Sequence, residues 1–185
     1  MLGGQVNFGR GTSSVMYASV GSGAPGAWTI SPNQMPDADV NGAAVAYNGY
    51  LYVTGGWNAA TVVTSSVFYA PINPDHSIGT WSVSPNQMPA PRYLHTAVVS
   101  NLGGAGGADI IVTGGAPGSG NVVFYAPINA DHSVGSWGVS SNPMPWAVNF
   151  HGSVAVDNYI YVVGGNSNYL PTSTIIYAHD SDLTH

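Results

Sequence analysis

Residues 67–89 read VFYAPINPDHSIGTWSVSPNQMP, and residues 123–145 read VFYAPINADHSVGSWGVSSNPMP. Recurrence this close to verbatim marks an internal repeat, the first feature to settle in any fold assignment. Landmarks spread outward from the two stretches in a fixed order. A double glycine stands at Gly3-Gly4, Gly55-Gly56, Gly114-Gly115 and Gly164-Gly165. Tyr17, Tyr69, Tyr125 and Tyr177 follow 10 to 13 residues after it. Trp28, Trp81 and Trp137 come 11 or 12 residues later, and Met35-Pro36, Met88-Pro89 and Met144-Pro145 begin seven residues beyond each tryptophan. The repeat length is 50 to 59 residues.

Each unit reads as four short strands, a to d. In the second unit, strand a is expected at 43–47 and strand b at 50–54, where Tyr50 and Tyr52 alternate with Leu51 and Val53. Asn48-Gly49 between them is a strong signal for a tight hairpin turn. The double glycine ends strand b. Strand c is expected at 66–70 and strand d at 79–84, joined by a turn over 71–77. The third unit repeats this at 96–100, 109–113, 122–126 and 135–140, with a longer a–b turn carrying Gly103, Gly104, Gly106 and Gly107. The fourth offers 153–156, 159–163 and 175–178.

A quartet of strands with Gly-Gly closing strand b, then Tyr, then Trp, resembles the kelch repeat. The phrase YAPIN-x-D-x-S-[IV]-G-x-W is similar to kelch-like repeats of secreted bacterial proteins. The Tyr-to-Trp spacing is wider than is usual for kelch repeats and implies an extended c–d hairpin. The resemblance implies an all-β fold of β-propeller blades, each a four-stranded antiparallel sheet. The expected division is 1–34 (strands c and d of a first blade), 35–87 and 88–143 (second and third blades) and 144–185 (a fourth lacking strand d). That is an incomplete propeller of about three and a quarter blades, where closed rings have about four to eight. Three readings stay open: a segment of a longer polypeptide, copies that complete one another, or an unusually compact closure.

In such a fold the landmarks are structural. Gly55, Gly56, Gly114, Gly115, Gly164 and Gly165 allow sharp turns where neighbouring blades approach. Tyr17, Tyr69, Tyr125, Tyr177, Trp28, Trp81 and Trp137 are expected to bury their apolar bodies between blades while the OH or NH finds a partner.

Composition excludes several function classes. The chain of 185 residues has two Lys plus Arg (Arg10 and Arg92), a net charge of −6 and 5% charged residues. So little positive charge cannot neutralise phosphates, which argues against nucleic acid and against an anionic membrane surface. No apolar run approaches the length of a membrane span, so no membrane insertion is expected. Cysteine is absent, which removes disulfides, thiolate metal sites and cysteine nucleophiles. A surface of Ser, Thr, Asn and Gly with few charges leads us to expect an extracellular or cell-surface location.

Chemistry finds little footing. His95 and His151 hold equivalent places at the start of strand a, but Gly42 stands there in the second unit and no carboxylate recurs beside them. They are expected to be hydrogen-bonded between blades, with no metal and no other cofactor. Asp75-His76-Ser77 and Asp131-His132-Ser133 read as c–d turns with left-handed backbone at the histidine. Among propeller enzymes, kelch-fold copper oxidases need a cysteine-modified tyrosine, and sialidases need three arginines. A glycosidase-style carboxylate pair would have to draw on Asp37 and Asp39, since Asp109 and Asp157 lie by a–b turns and Asp180 and Asp182 in a polar tail. No catalytic residue is assigned.

Binding is the better-supported expectation. The d–a and b–c loops of a propeller share one face, and there the units differ most. The d–a loops contribute Asp37, Asp39, Arg92, Tyr93, Trp146 and Asn149. The b–c loops contribute Trp57 and Asn58, a small Ala116-Pro117-Gly118 stretch, then Asn166, Asn168 and Tyr169. Variable loops on a constant scaffold suit recognition, and aromatics beside Asn and Asp suit a glycan or a protein partner. The sequence thus points to a non-catalytic binding module. A self-assembling structural protein, joined to other copies through unpaired strand edges, is the alternative; a carbohydrate-active enzyme is the rival from another class.

Overall fold

The computed structural model describes residues 2–6, 10–21, 23–100, 107–168 and 170–183. The glycine-rich turn at Gly103, Gly104 and Gly106 lies outside the described residues, as does Tyr169. The chain is all-β and antiparallel, without an α-helix among the described residues.

The first unit is built of two-residue ribbons. Strand β1 (Gln5–Val6) pairs with β2 (Arg10–Gly11), β3 (Met16–Tyr17) with β6 (Thr29–Ile30), and β4 (Val20–Gly21) with β5 (Ala24–Pro25). The second unit is a four-stranded meander of β7 (Ala43–Tyr47), β8 (Tyr50–Thr54), β9 (Val67–Pro71) and β10 (Ser82–Val83). The third repeats it with β11 (Thr96–Ser100), β12 (Ala108–Thr113), β13 (Val123–Ile128) and β14 (Gly138–Val139). The fourth has three such strands, β15 (Gly152–Val156), β16 (Tyr159–Val163) and β19 (Ile175–His179), with a ribbon of β17 (Asn166–Ser167) and β18 (Leu170–Pro171) in its b–c loop.

Strands a, b and c fall where the sequence places them to within two residues. Strand d is shorter than expected: β10 and β14 pair for two residues each, after the tryptophan. The glycine ahead of it is anchored differently, with Gly79 N donating to Pro71 O and Gly135 N to Pro127 O, both at 2.8 Å. Two a–b hairpins turn through left-handed pairs, Asn48-Gly49 (φ 44° and 77°) and Asp157-Asn158 (φ 49° and 65°), which suit the right-handed strand twist. Asp75 and Asp131 each accept hydrogen bonds from the amide and hydroxyl of the serine two residues on. His76 and His132 take φ 67° and 66°, as the turn reading requires.

The hydrophobic cores lie between successive sheets. One joins Val15 and Met35 to Val53, Phe68, Ala70 and Ile78. The next joins Tyr52, Val67 and Met88 to Val112, Phe124, Ala126 and Val134. The third joins Val98, Ile111, Val123 and Met144 to Ile160 and Val162. The second and third sheets each have two apolar faces and bury both against neighbours. Strand β11 lies alongside both β7 and β15, so the first strands of three sheets stand side by side.

One hydrogen bond recurs at each junction. The second glycine of the pair donates to a d–a loop carbonyl: Gly4 to Asp39 and Gly56 to Arg92 at 2.7 Å, and Gly115 to Val148 at 2.9 Å. The tryptophans also lock neighbours. Trp81 Nε1 donates to Asn33 O at 3.4 Å and Trp137 Nε1 to Asn86 O at 3.3 Å. Asn33 and Asn86 reach back to Ile78 O and Val134 O, both at 2.8 Å.

Two residues depart from the expected burial. Trp28 is 62% exposed and Tyr177 is 66% exposed, whereas Tyr17, Tyr69, Tyr125, Trp81 and Trp137 are half-buried. Trp28 and Tyr177 lie in the first and fourth units, where no described sheet covers the outward face. The polar tail is also corrected. It forms a 3-10 turn, Asp180–Leu183, that buries Asp180 and Leu183, and Asp180 Oδ2 accepts from Ser100 Oγ at 2.9 Å.

Candidate functional site

Within each unit the d–a loop and the b–c loop pair by an isolated β-bridge. The pairs are Val40 with Trp57, Tyr93 with Ala116, and Asn149 with Asn166. These bridges bring both sets of variable loops to one end of their sheets. The residues at the bridges decide how much space remains between neighbouring units. At the junction of the second and third units, large rings fill it: Trp57 and Tyr93 sit 5.1 Å apart, tilted by 49°. Arg92 then crosses to the third sheet. Its guanidinium lies 5.3 Å over the Phe124 ring and donates from one Nη to Pro117 O.

At the junction of the third and fourth units the equivalent positions hold Ala116 and Asn149, and the space stays open. A cleft of about 430 Å³ forms there, with walls that include Tyr93, Pro117, Val148, Asn149, Asn166 and Asn168. Asn149 and Asn166 pair through their backbones, N to O at 3.1 and 2.8 Å. Their side-chain amides make no hydrogen bond among the described residues, so each keeps a donor and an acceptor to offer. The lining carries no Asp, Arg or His. Neutral amides and the phenol ring of Tyr93 complement a neutral, hydroxyl-rich ligand, and the volume lies within the usual range of roughly 300–1,000 Å³ for small-molecule sites.

The cleft gathers Tyr93, Asn149, Asn166, Asn168 and the Ala116-Pro117-Gly118 stretch from the residues nominated by sequence, whereas Asn58, Asp37, Asp39, Arg92, Trp57 and Trp146 are outside its lining. Asn58 Oδ1 caps its own turn, accepting from Ala60 N and Val62 N at 3.0 Å. Asp37 Oδ1 accepts from Ala38 N at 2.7 Å and Ala59 N at 3.3 Å, tying a d–a loop to a b–c loop. Arg92 is 4% exposed, and burial lowers the pKa of its guanidinium. Trp146 is 38% exposed outside the cleft lining. Sequence reasoning did not single out Ala147 or Gly120. The signal that locates the cleft was present as a change of size at one repeat position, from Trp57 to Ala116.

Asp39 is buried beside Gly42 and Gly56, and burial raises its carboxyl to about pKa 7 against a weaker lowering by the Gly42 backbone. A side chain built on Gly42 would run into that carboxyl. In the next two units this position is His95 and His151. There the imidazoles bridge sheets: His95 Nε2 is 3.0 Å from Thr54 Oγ1, and His151 Nε2 is 2.8 Å from Thr96 Oγ1 and 3.1 Å from Thr113 Oγ1. Burial depresses both histidines to about pKa 4. Their Nε2 atoms serve these hydroxyls, and among the described residues no three His, Asp or Glu side chains gather as metal ligands would.

No protein-family model matches the chain, and no curated protein matches it.

Proposed function

We propose that this chain is built of kelch-like β-propeller blades and binds a neutral carbohydrate, without catalysis, outside the cell. The propeller reading is supported by the repeat, by antiparallel meanders of like order, and by first strands that stand side by side. The observation that carries the function is the cleft at the third junction: uncharged, lined by three asparagines and Tyr93, in the place where Trp57 fills the junction before it. Asparagine amides satisfy sugar hydroxyls in both directions, and an aromatic ring covers a sugar's C–H face. Asp37 and Asp39 do not line this cleft, which favours binding over glycoside hydrolysis. The low charge of the chain suits an extracellular setting.

The test is a glycan array read with the wild type, Asn149→Ala, Asn166→Ala and Ala116→Trp. Each asparagine change is expected to weaken binding about tenfold, equivalent to one hydrogen bond of about 1.4 kcal/mol. Ala116→Trp, which restores the bulk found at Trp57, is expected to abolish it. Binding indifferent to all three changes overturns the assignment.

A further inference from the structure

A second cleft, of about 160 Å³, lies between the third and fourth sheets and shares no residue with the first. Its walls include Val123, Met144, Val162, Ile176, Ala178 and Asn142. These match, position for position, the surroundings of two indoles. Trp81 packs against the core cluster that holds Val15, Met35, Val53, Phe68 and Ala70, and its N–H donates to Asn33 O. Trp137 packs against the core cluster that holds Val67, Met88, Val112, Phe124 and Ala126, and its N–H donates to Asn86 O. Among the described residues no indole occupies this cleft.

The neighbouring strand edge is open as well. Phe68 and Tyr69 pair with Val83 and Ser82, and Phe124 and Tyr125 pair with Val139 and Gly138. The equivalent Ile176 and Tyr177 of β19 pair on one side with β16, and among the described residues no strand pairs with the other side. The edge and the cleft adjoin, so one strand bearing an indole would satisfy both.

The chain carries one segment with the matching pattern and an uncovered ring. Residues 26–30 read GAWTI, against GTWSV at 79–83 and GSWGV at 135–139. Trp28 is 62% exposed and Ile30 65% exposed, and this strand pairs only with the two residues of β3 among the described residues. We infer that β19 accepts strand β6 of a second copy of this chain, with the second copy's indole seated in the cleft against Asn142. The exchange gives up a two-residue ribbon and gains burial of a tryptophan, the side chain that contributes most per residue at interfaces. In the register of the other sheets, Ile176 faces Ile30 and Tyr177 faces Thr29. The contact joins unlike surfaces, so each added copy presents a fresh seat, and assembly proceeds to a ring or a filament.

Sedimentation of the full chain over a wide concentration range tests this. The wild type is expected to gain mass with concentration. Trp28→Ala, which keeps the seat and loses the ring, is expected to weaken association at least about thirtyfold. Ala178→Phe, which fills the seat and keeps the ring, is expected to do the same. An equimolar mixture of the two variants then forms dimers and stops there, an outcome that neither misfolding nor a general loss of stickiness reproduces. A wild type that stays monomeric throughout overturns the proposal. So does association that Trp28→Ala leaves unchanged, or a GAWTIS peptide (residues 26–31) that binds the Ala178→Phe chain as well as it binds the Trp28→Ala chain.

Discussion

The second and third sheets meet across a closed junction, whereas the third and fourth meet across an open one. At the closed junction Trp57 and Tyr93 fill the loop end, Arg92 spans to Phe124, and Trp137 is seated against the Asn86 loop. At the open junction Ala116 and Asn149 leave a cleft, and among the described residues no indole stands opposite Asn142. Backbone geometry is nearly the same in both: Gly56 N to Arg92 O and Gly115 N to Val148 O differ by 0.2 Å, at 2.7 and 2.9 Å. One scaffold therefore supports filled and vacant spaces, and side-chain size at a few repeat positions decides which. This is how a repeat protein acquires a site without a new fold.

The largest contrast is expected at the double glycines. In Gly55 and Gly114 a Cβ would collide with the backbone carbonyls of Arg92 and Val148, and with the rings of His95 and His151. Gly164 has the same left-handed backbone, φ 64°, but its Cβ would meet only Thr172 O at 3.4 Å. Gly55→Ala or Gly114→Ala is therefore expected to cost about 3 kcal/mol or more, through strain and a displaced neighbour. Gly164→Ala is expected to cost about 1–2 kcal/mol, from backbone strain alone. Urea unfolding of the three variants measures the difference, and equal losses would break the comparison.

A somewhat smaller contrast is expected among the tryptophans. Trp81→Ala and Trp137→Ala each remove a ring packed between sheets together with its hydrogen bond, and are expected to lose about 3 kcal/mol. Trp28→Ala changes an exposed ring and is expected to lose less than about 0.5 kcal/mol in the dilute chain. Thermal or urea unfolding at low concentration reads this directly. A large loss at Trp28 would mean that its ring is already covered.

The smallest effect is in pH dependence, and it compares Gly42 with its equivalents His95 and His151. The histidines titrate near 4 in the folded chain against 6.5 in the ordinary case. The unfolded chain therefore binds more protons between these values, and the stability that neutral histidine contributes is complete above about pH 6.5 and lost as pH falls toward 4. Asp39 acts in the opposite sense. Its carboxyl titrates near 7 against an ordinary 3.8, so its contribution is complete below about pH 4 and lost as pH rises through 7. Asp39→Asn is expected to leave stability at pH 4 nearly unchanged and to raise it by about 2 kcal/mol or more at pH 8. Urea midpoints at both pH values check this, and a variant weaker than the wild type at pH 8 would contradict it.

Strand positions were legible because period-two alternation and tight-turn residues act locally. Tyr50-Leu51-Tyr52-Val53 alternates, and Asn48-Gly49 favours the turn before it. Asp157-Asn158 makes a similar left-handed turn without glycine, a weaker signal that depends on two residues tolerant of positive φ. The d strands were overestimated because pairing there stops at the tryptophan, whose ring binds across the junction instead. Of the nominated binding residues, Asn149, Asn166 and Tyr93 converge. Asp39 and Arg92 turn inward because their neighbours, Gly42 and Pro117, leave room and an acceptor, respectively.

By itself the sequence determined the repeat, its turns and the apolar faces of its strands, because these follow from residue type and spacing along the chain. Tertiary structure alone decided which tryptophan is seated and which lies bare, and where a cleft remains between units. Those outcomes depend on the side chain that faces each position across a junction, and that partner lies in another unit, 48 and 51 residues away for the Trp81–Asn33 and Trp137–Asn86 locks.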